Sequence, residues 1–189
     1  MTWAFQGDGY SLILTLGDYD PARFSIWLSE RYEASRANHG LGQWPEFSWM
    51  TLFRSGGGKP LLRGPCGELS SFHFNLSHTK GAWAWVESRE FPVGVDLERK
   101  DRRFQGDLLG RKWLSGAAHS ALDLFTWTRM EAWAKAQGVS VLRTRKLGSL
   151  EDWGREEFLG ISFPKIGSPP PAFQSWIMAV ALERSLTRV

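Results

Sequence analysis

The chain has 189 residues, 42% hydrophobic and 23% charged, with a formal charge of +3. That length and composition suit a globular chain with a real core, as one large domain or two small ones, and exclude a disordered or fibrous class. The small positive charge leans toward acidic or phosphorylated partners and falls short of a nucleic-acid-binding footprint.

The lone Cys66 excludes an internal disulfide and points to a reducing compartment. The apolar run LILTL at 12–16 is too short to span a bilayer. The expectation is a cytoplasmic protein with no membrane and no nucleic-acid partner.

Residues 10–16 are rich in strand formers and precede a turn-like GDYDP at 17–21. RFSIWLSERYEASRA has helical spacing through Phe24, Trp27, Leu28 and Arg31, and a second helix is expected over 45–54. SGGGKP at 55–60 reads as a loop. It fails as a phosphate-binding P-loop because Pro60 stands where Ser or Thr is needed.

Three strand-like runs follow, SFHFNLSH at 71–78, GAWAWVES at 81–88 and FPVGVDLE at 91–98, which predict an antiparallel meander. Helices are expected over 102–111 and 119–137, the latter closed by Gly138. RKLGSLEDW reads as irregular, EEFLGISF as a strand, SPPPA as a turn and QSWIMAVAL as a closing strand. Helix-then-strands order recurs in both halves, with Glu90-Phe91-Pro92 as the expected seam between units 1–91 and 92–189. The expected class is α/β (α+β).

Three groups of residues carry possible chemistry. Side chains alternate across a strand, so Gly94, Asp96 and Glu98 share one face and Val93, Val95 and Leu97 the other. Paired carboxylates suit a hard divalent cation, with Gly94 leaving room for a ligand, or they are simply the wet face of an edge strand. Trp127, Glu131 and Lys135 lie at i, i+4 and i+8, which places an acid and a cation on one helical stripe or makes an ordinary exposed pair. Ser77 and His78 are neighbours of opposite parity, so a Ser–His nucleophile is disfavoured. A phosphate-binding turn and a self-capped turn both remain open. No His or Cys spacing resembles a zinc site.

Taken in order, GKP at 58–60, FNLSHT at 74–79, GVDLE at 94–98 and WTRMEAWAKAQG at 127–138 resemble the 4′-phosphopantetheinyl transferases. The resemblance is to the two-halved, monomeric type that activates peptide and polyketide synthetases. It runs from about residue 58 onward, and more faintly through SERYEASRA at 29–37. It implies two similar α/β halves about a pseudo-twofold axis, with coenzyme A between them. It also implies a cation, magnesium or manganese, held by Asp96, Glu98 and Glu131. Catalysis would rest on Asp96, Glu131 and Lys135, and the coenzyme A phosphates on Lys59, Ser77, His78 and Lys135, with Arg31 at the nucleotide end.

The implied reaction moves 4′-phosphopantetheine from coenzyme A to a serine of an apo acyl or peptidyl carrier protein. The acidic face of the carrier would meet RKDRR at 99–103 with Arg111 and Lys112. One departure stands out: the family has lysine before the helix glutamate, and this chain has Met130. Arg129 is not an automatic substitute, since one residue turns about 100° around a helix. A non-catalytic relative that binds coenzyme A or a carrier is therefore one alternative, and a magnesium-dependent phosphohydrolase a more distant one.

Overall fold

A computed structural model describes residues 1–38, 44–55, 58–113, 122–141, 150–155, 157–158, 161–166 and 169–183. The chain is a mixed α/β structure built on antiparallel sheets. Strands β1 (Thr2–Gly7) and β2 (Tyr10–Leu16) form a hairpin with Gly7 opposite Tyr10. Asp8-Gly9 is its two-residue turn, with Gly9 at φ 73, the left-handed conformation that such a turn demands. Only β2 was expected from the sequence; β1 adds an edge strand.

Helix α1 (Phe24–Asn38) follows where its spacing predicts. The helix expected over 45–54 is instead a single 3-10 turn, Phe47–Trp49, and strand β3 (Thr51–Arg54), which pairs with β4 (Pro60–Arg63). β5 (His73–Thr79) and β6 (Ala82–Ser88) pair as an antiparallel hairpin. The expected three-strand meander ends there. β7 (Val93–Arg99) leaves for a second sheet, where it pairs with β10 (Trp176–Glu183).

The second helix, α2, covers Gly106–Trp113, several residues later than expected. Helix α3 (Leu124–Gln137) is set by its caps. Asp123 accepts the Thr126 N–H at 2.6 Å, and Gly138 closes the far end at φ 68. The expected start near 119 lies outside the described residues. Part of the stretch read as irregular forms a short helix, α4 (Leu150–Gly154), and the strand expected over 156–163 splits into β8 (Glu157–Phe158) and β9 (Ile161–Ser162). Among the described residues no helix is long and apolar enough to cross a membrane.

The first sheet runs β1-β2-β6-β5 and the second β7-β10-β9-β8. The same order of elements serves both. A strand, a helix and two further strands recur in that order (β2, α1, β5, β6; then β7, α3, β9, β10), with β3 and β4 interposed in the first and α2, α4 and β8 in the second, and the last strand lies in the middle each time. Leu28 and Tyr32 of α1 pack with Phe74 and Trp85 of the first sheet. Met130, Ala132 and Ala136 of α3 pack with Ala179 and Ala181 of the second. Leu12, Leu14 and Val86 meet Val93, Val95, Leu97 and Val180 between the sheets.

The outer edge of β7 is covered rather than open. Its Val95 and Leu97 N–H groups donate to Asn75 Oδ1 and Ser77 Oγ of β5, each at 3.2 Å. Two side chains thus do the work of a missing strand ladder, protecting an edge that would otherwise invite pairing. They also bring β5 and β7 side by side, which places the candidate site.

Candidate active site

Gly94 sets the depth of α3 on β7. A Cβ there would lie 2.1 Å from the Ala132 carbonyl oxygen and 2.5 Å from the Ala136 nitrogen. The room expected for a ligand is therefore filled by helix backbone. Its consequence for the site is indirect, because the close approach puts Glu131 and Lys135 over the acidic face of β7.

Asp96 is 5% exposed. Its Oδ1 accepts from Lys135 Nζ at 2.7 Å and from the Ser77 hydroxyl at 3.0 Å. Lys135 Nζ also reaches Ser77 Oγ at 3.1 Å. Ser77 therefore joins three elements: it donates to Asp96 and accepts from Lys135 of α3 and from the Leu97 N–H of β7. Asp96 Oδ2 is buried and has no hydrogen-bond partner among the described residues, an arrangement that costs free energy unless something positive meets it.

Glu131 is half-buried and makes no hydrogen bond or ion pair among the described residues. Burial pushes its pKa up, the charge of Asp96 adds to that rise, and Lys135 and Arg102 oppose it. Glu98 pairs with Arg102, four residues on. The repulsion between Asp96 and Glu98 is thus offset by one cation each, Lys135 and Arg102. These side chains and His78 line an open cleft of about 480 Å³. His78 stands at its rim, stacked on Tyr19 with ring centroids 4.9 Å apart.

Two expected contributors lie elsewhere. Lys59 is buried and donates from Nζ to the Ala136 carbonyl at 2.7 Å, near the end of α3. Burial lowers its pKa to about 8, partly opposed by Glu183. Burial of the His73 imidazole, with a smaller contribution from the Lys59 charge, pushes it down to about 4. His73 is four residues before Ser77, roughly 13 Å along a strand. Arg31 pairs with Glu87, donating from Nε at 3.0 Å, and lines a separate cavity of about 420 Å³. The Trp85 indole holds the same carboxylate at 2.7 Å.

Met130 is fully buried in the core beneath α3. Arg129 does not replace the missing lysine, since it lies 4.1 Å over the Phe163 ring and bonds the Arg155 carbonyl. Of the basic run, Arg99 is paired with Asp101 and Arg102 with Glu98, while Lys100, Arg103 and Arg111 are exposed. The side chain of Lys112 lies outside those described.

From the sequence Asn75 has no role of its own, and Arg102 is placed only within the basic run at 99–103. Asn75 shares a strand face with Ser77, two residues on, and Arg102 stands at i+4 from Glu98. Both spacings were visible, but each needs the β5–β7 contact or the turn after β7 to acquire meaning.

Among the described residues no three His, Cys, Asp or Glu side chains are grouped to hold a metal ion between them. The donor chemistry nonetheless fits a hard cation of low protein coordination. Magnesium commonly takes one or two protein carboxylates and completes its shell with water and phosphate. Asp96 Oδ2 and Glu131, neither of them partnered among the described residues, are such donors, and Glu98, paired with Arg102, is a third carboxylate in the cleft. Lys135 and Arg102 make the same cleft attractive to an anion. No protein-family model matches the chain, and no curated protein matches it as a relative.

Proposed function

We propose that the chain is a 4′-phosphopantetheinyl transferase, moving the phosphopantetheine arm of coenzyme A to a serine of an apo-carrier protein. The observation that carries this reading is the Lys135–Asp96–Ser77 junction, with Asp96 Oδ2 unpartnered among the described residues in the cleft that Glu131 also lines. A buried carboxylate oxygen without a donor, beside two cations in one cleft, suits a cation–phosphate ligand better than it suits an apolar or purely anionic one. The order of the four sequence motifs supports the choice of reaction.

Asp96, through Oδ2, would hold the cation with Glu131 and Glu98. When bound, it supplies charge neutralisation at the transferring phosphoryl group. Lys135 is held in place by Asp96 and Ser77, so it presents a positioned positive charge to phosphate oxygens. The carrier serine oxygen forms a new bond to phosphorus as the pyrophosphate P–O bond breaks, and adenosine 3′,5′-bisphosphate leaves with that electron pair. The serine proton needs a base in the cleft. Glu131, which has no ion pair among the described residues, would take that role. Lys100, Arg103 and Arg111 are exposed cations that would meet the acidic helix of a carrier.

Met130 favours a second reading, a relative that binds coenzyme A without turnover, because no lysine enters the cleft from that position. Intact-mass measurement of apo-carriers after incubation with coenzyme A and magnesium separates the two. The transferase reading expects each served carrier to gain one phosphopantetheine. Coenzyme A binding with unchanged carrier mass supports the binding reading instead.

A further inference from the structure

We infer that Arg102 is a built-in competitor for the cation, holding Glu98 in the cation-free protein and giving it up when the ion enters. The inference rests on the site reading above, but it gives Arg102 a role at the cation, where the sequence reading placed it only in the basic run that meets a carrier. The turn after β7 sets the contact: the Arg102 N–H donates to the Arg99 carbonyl at 3.2 Å, folding the chain back so that the guanidinium reaches Glu98.

The two partners differ in exposure. The Glu98 side chain is 13% exposed and that of Arg102 is 45% exposed. An acid so withdrawn from water needs a counter-charge, whereas a half-exposed arginine is readily solvated when it leaves. The pair therefore keeps Glu98 neutralised without locking it. Two residues earlier on the same strand face, Lys135 holds only Oδ1 of Asp96, and Oδ2 has no hydrogen-bond partner among the described residues. A cation would meet Asp96 first and then compete with Arg102 for Glu98. Once displaced, the guanidinium is solvated but stays tethered by the turn at the mouth of the cleft, where an anionic ligand meets it, so that cation and phosphate binding favour each other.

The test is manganese binding by electron paramagnetic resonance on the purified protein, with no coenzyme A or carrier present. Arg102→Gln is expected to tighten Mn2+ binding about fivefold, the upper range for releasing a partly exposed pair. Arg103→Gln, which changes the net charge equally, is expected to leave it within about twofold. In a Glu98→Gln background the gain from Arg102→Gln should disappear. Unchanged or weaker binding in Arg102→Gln overturns the inference, as does a gain that survives Glu98→Gln or no detectable Mn2+ binding in any variant. Carrier modification without the Arg102 effect would leave the transferase reading standing and sink the guard. The Arg102 effect without carrier modification would do the reverse.

Discussion

The Lys135 ammonium lies 2.7 Å from Asp96 Oδ1, joining α3 to β7 at the centre of the cleft. The two residues are 39 positions apart, and nothing in local sequence pairs them. What does pair them is Gly94, two residues before Asp96, which lets the backbone of Ala132 and Ala136 settle onto the strand. The ion pair, the site and the helix packing are one arrangement.

The first prediction follows from unequal burial across that pair. Lys135→Met strands a carboxylate whose side chain is 7% exposed, whereas Asp96→Asn strands an ammonium whose side chain is 28% exposed. Lys135→Met should therefore cost more, about 2–3 kcal/mol of unfolding free energy, with the double substitution recovering part of the loss. Urea titrations of the single and double variants check this.

Gly94→Ala should be among the most damaging single changes in the chain. Its Cβ meets helix backbone that cannot rotate away. Overpacking of this kind costs about 3 kcal/mol, or about 6–12 °C in Tm for a chain of this size. Thermal unfolding measures it, and loss of carrier modification should accompany the shift.

Glu131 predicts a trade between stability and function. Its folded pKa is raised by burial and by Asp96, so the folded state holds the proton more tightly than the unfolded state. Its stabilising contribution is full below the unfolded carboxylate range near pH 4.3 and is lost as pH rises through the raised value. Glu131→Gln should thus raise Tm at neutral pH, have little effect near pH 4, and abolish transfer. Melting curves across pH, read beside activity, test all three outcomes.

Lys59 carries the opposite pH signature. Its folded pKa of about 8 lies below the unfolded value, so its buried charge destabilises the fold below pH 8. That cost, on the order of 3 kcal/mol, is regained between about pH 8 and about pH 10.4. Lys59→Met should flatten this alkaline rise in stability, as denaturant midpoints at several pH values would show.

How much of this was legible in the sequence differs by element. α1, β5, β6, β7 and the C-terminal end of α3 carry spacing or cap signals that act locally, so they could be placed without the fold. β7 could not be assigned to its sheet, because its apolar letters suit either neighbour. Only side-chain bonds from Asn75 and Ser77 show that its edge is covered without a ladder. Phe47–Trp49 illustrates the opposite failure: a helical pattern was overridden by pairing of Thr51–Arg54 with Pro60–Arg63.

The site followed the same rule. Asp96, Glu131, Lys135, Ser77 and His78 were chosen from motif order, and the structure brings them to one cleft. Gly94 was read as space for a ligand when its neighbour is a helix. Lys59 and Arg31 belong to the expected phosphate set by motif position, but burial and pairing direct one to Ala136 and the other to Glu87. Long-range contacts decide where a flexible side chain ends, and short motifs do not contain them.

The most direct test of the central claim is the mass of an apo-carrier after incubation with coenzyme A, magnesium and either the native chain or its Asp96→Ala variant. The account predicts a gain of one phosphopantetheine per served carrier with the native chain and none with the variant. Full modification by Asp96→Ala, or an unchanged mass across a broad panel of carriers with the native chain, would contradict it.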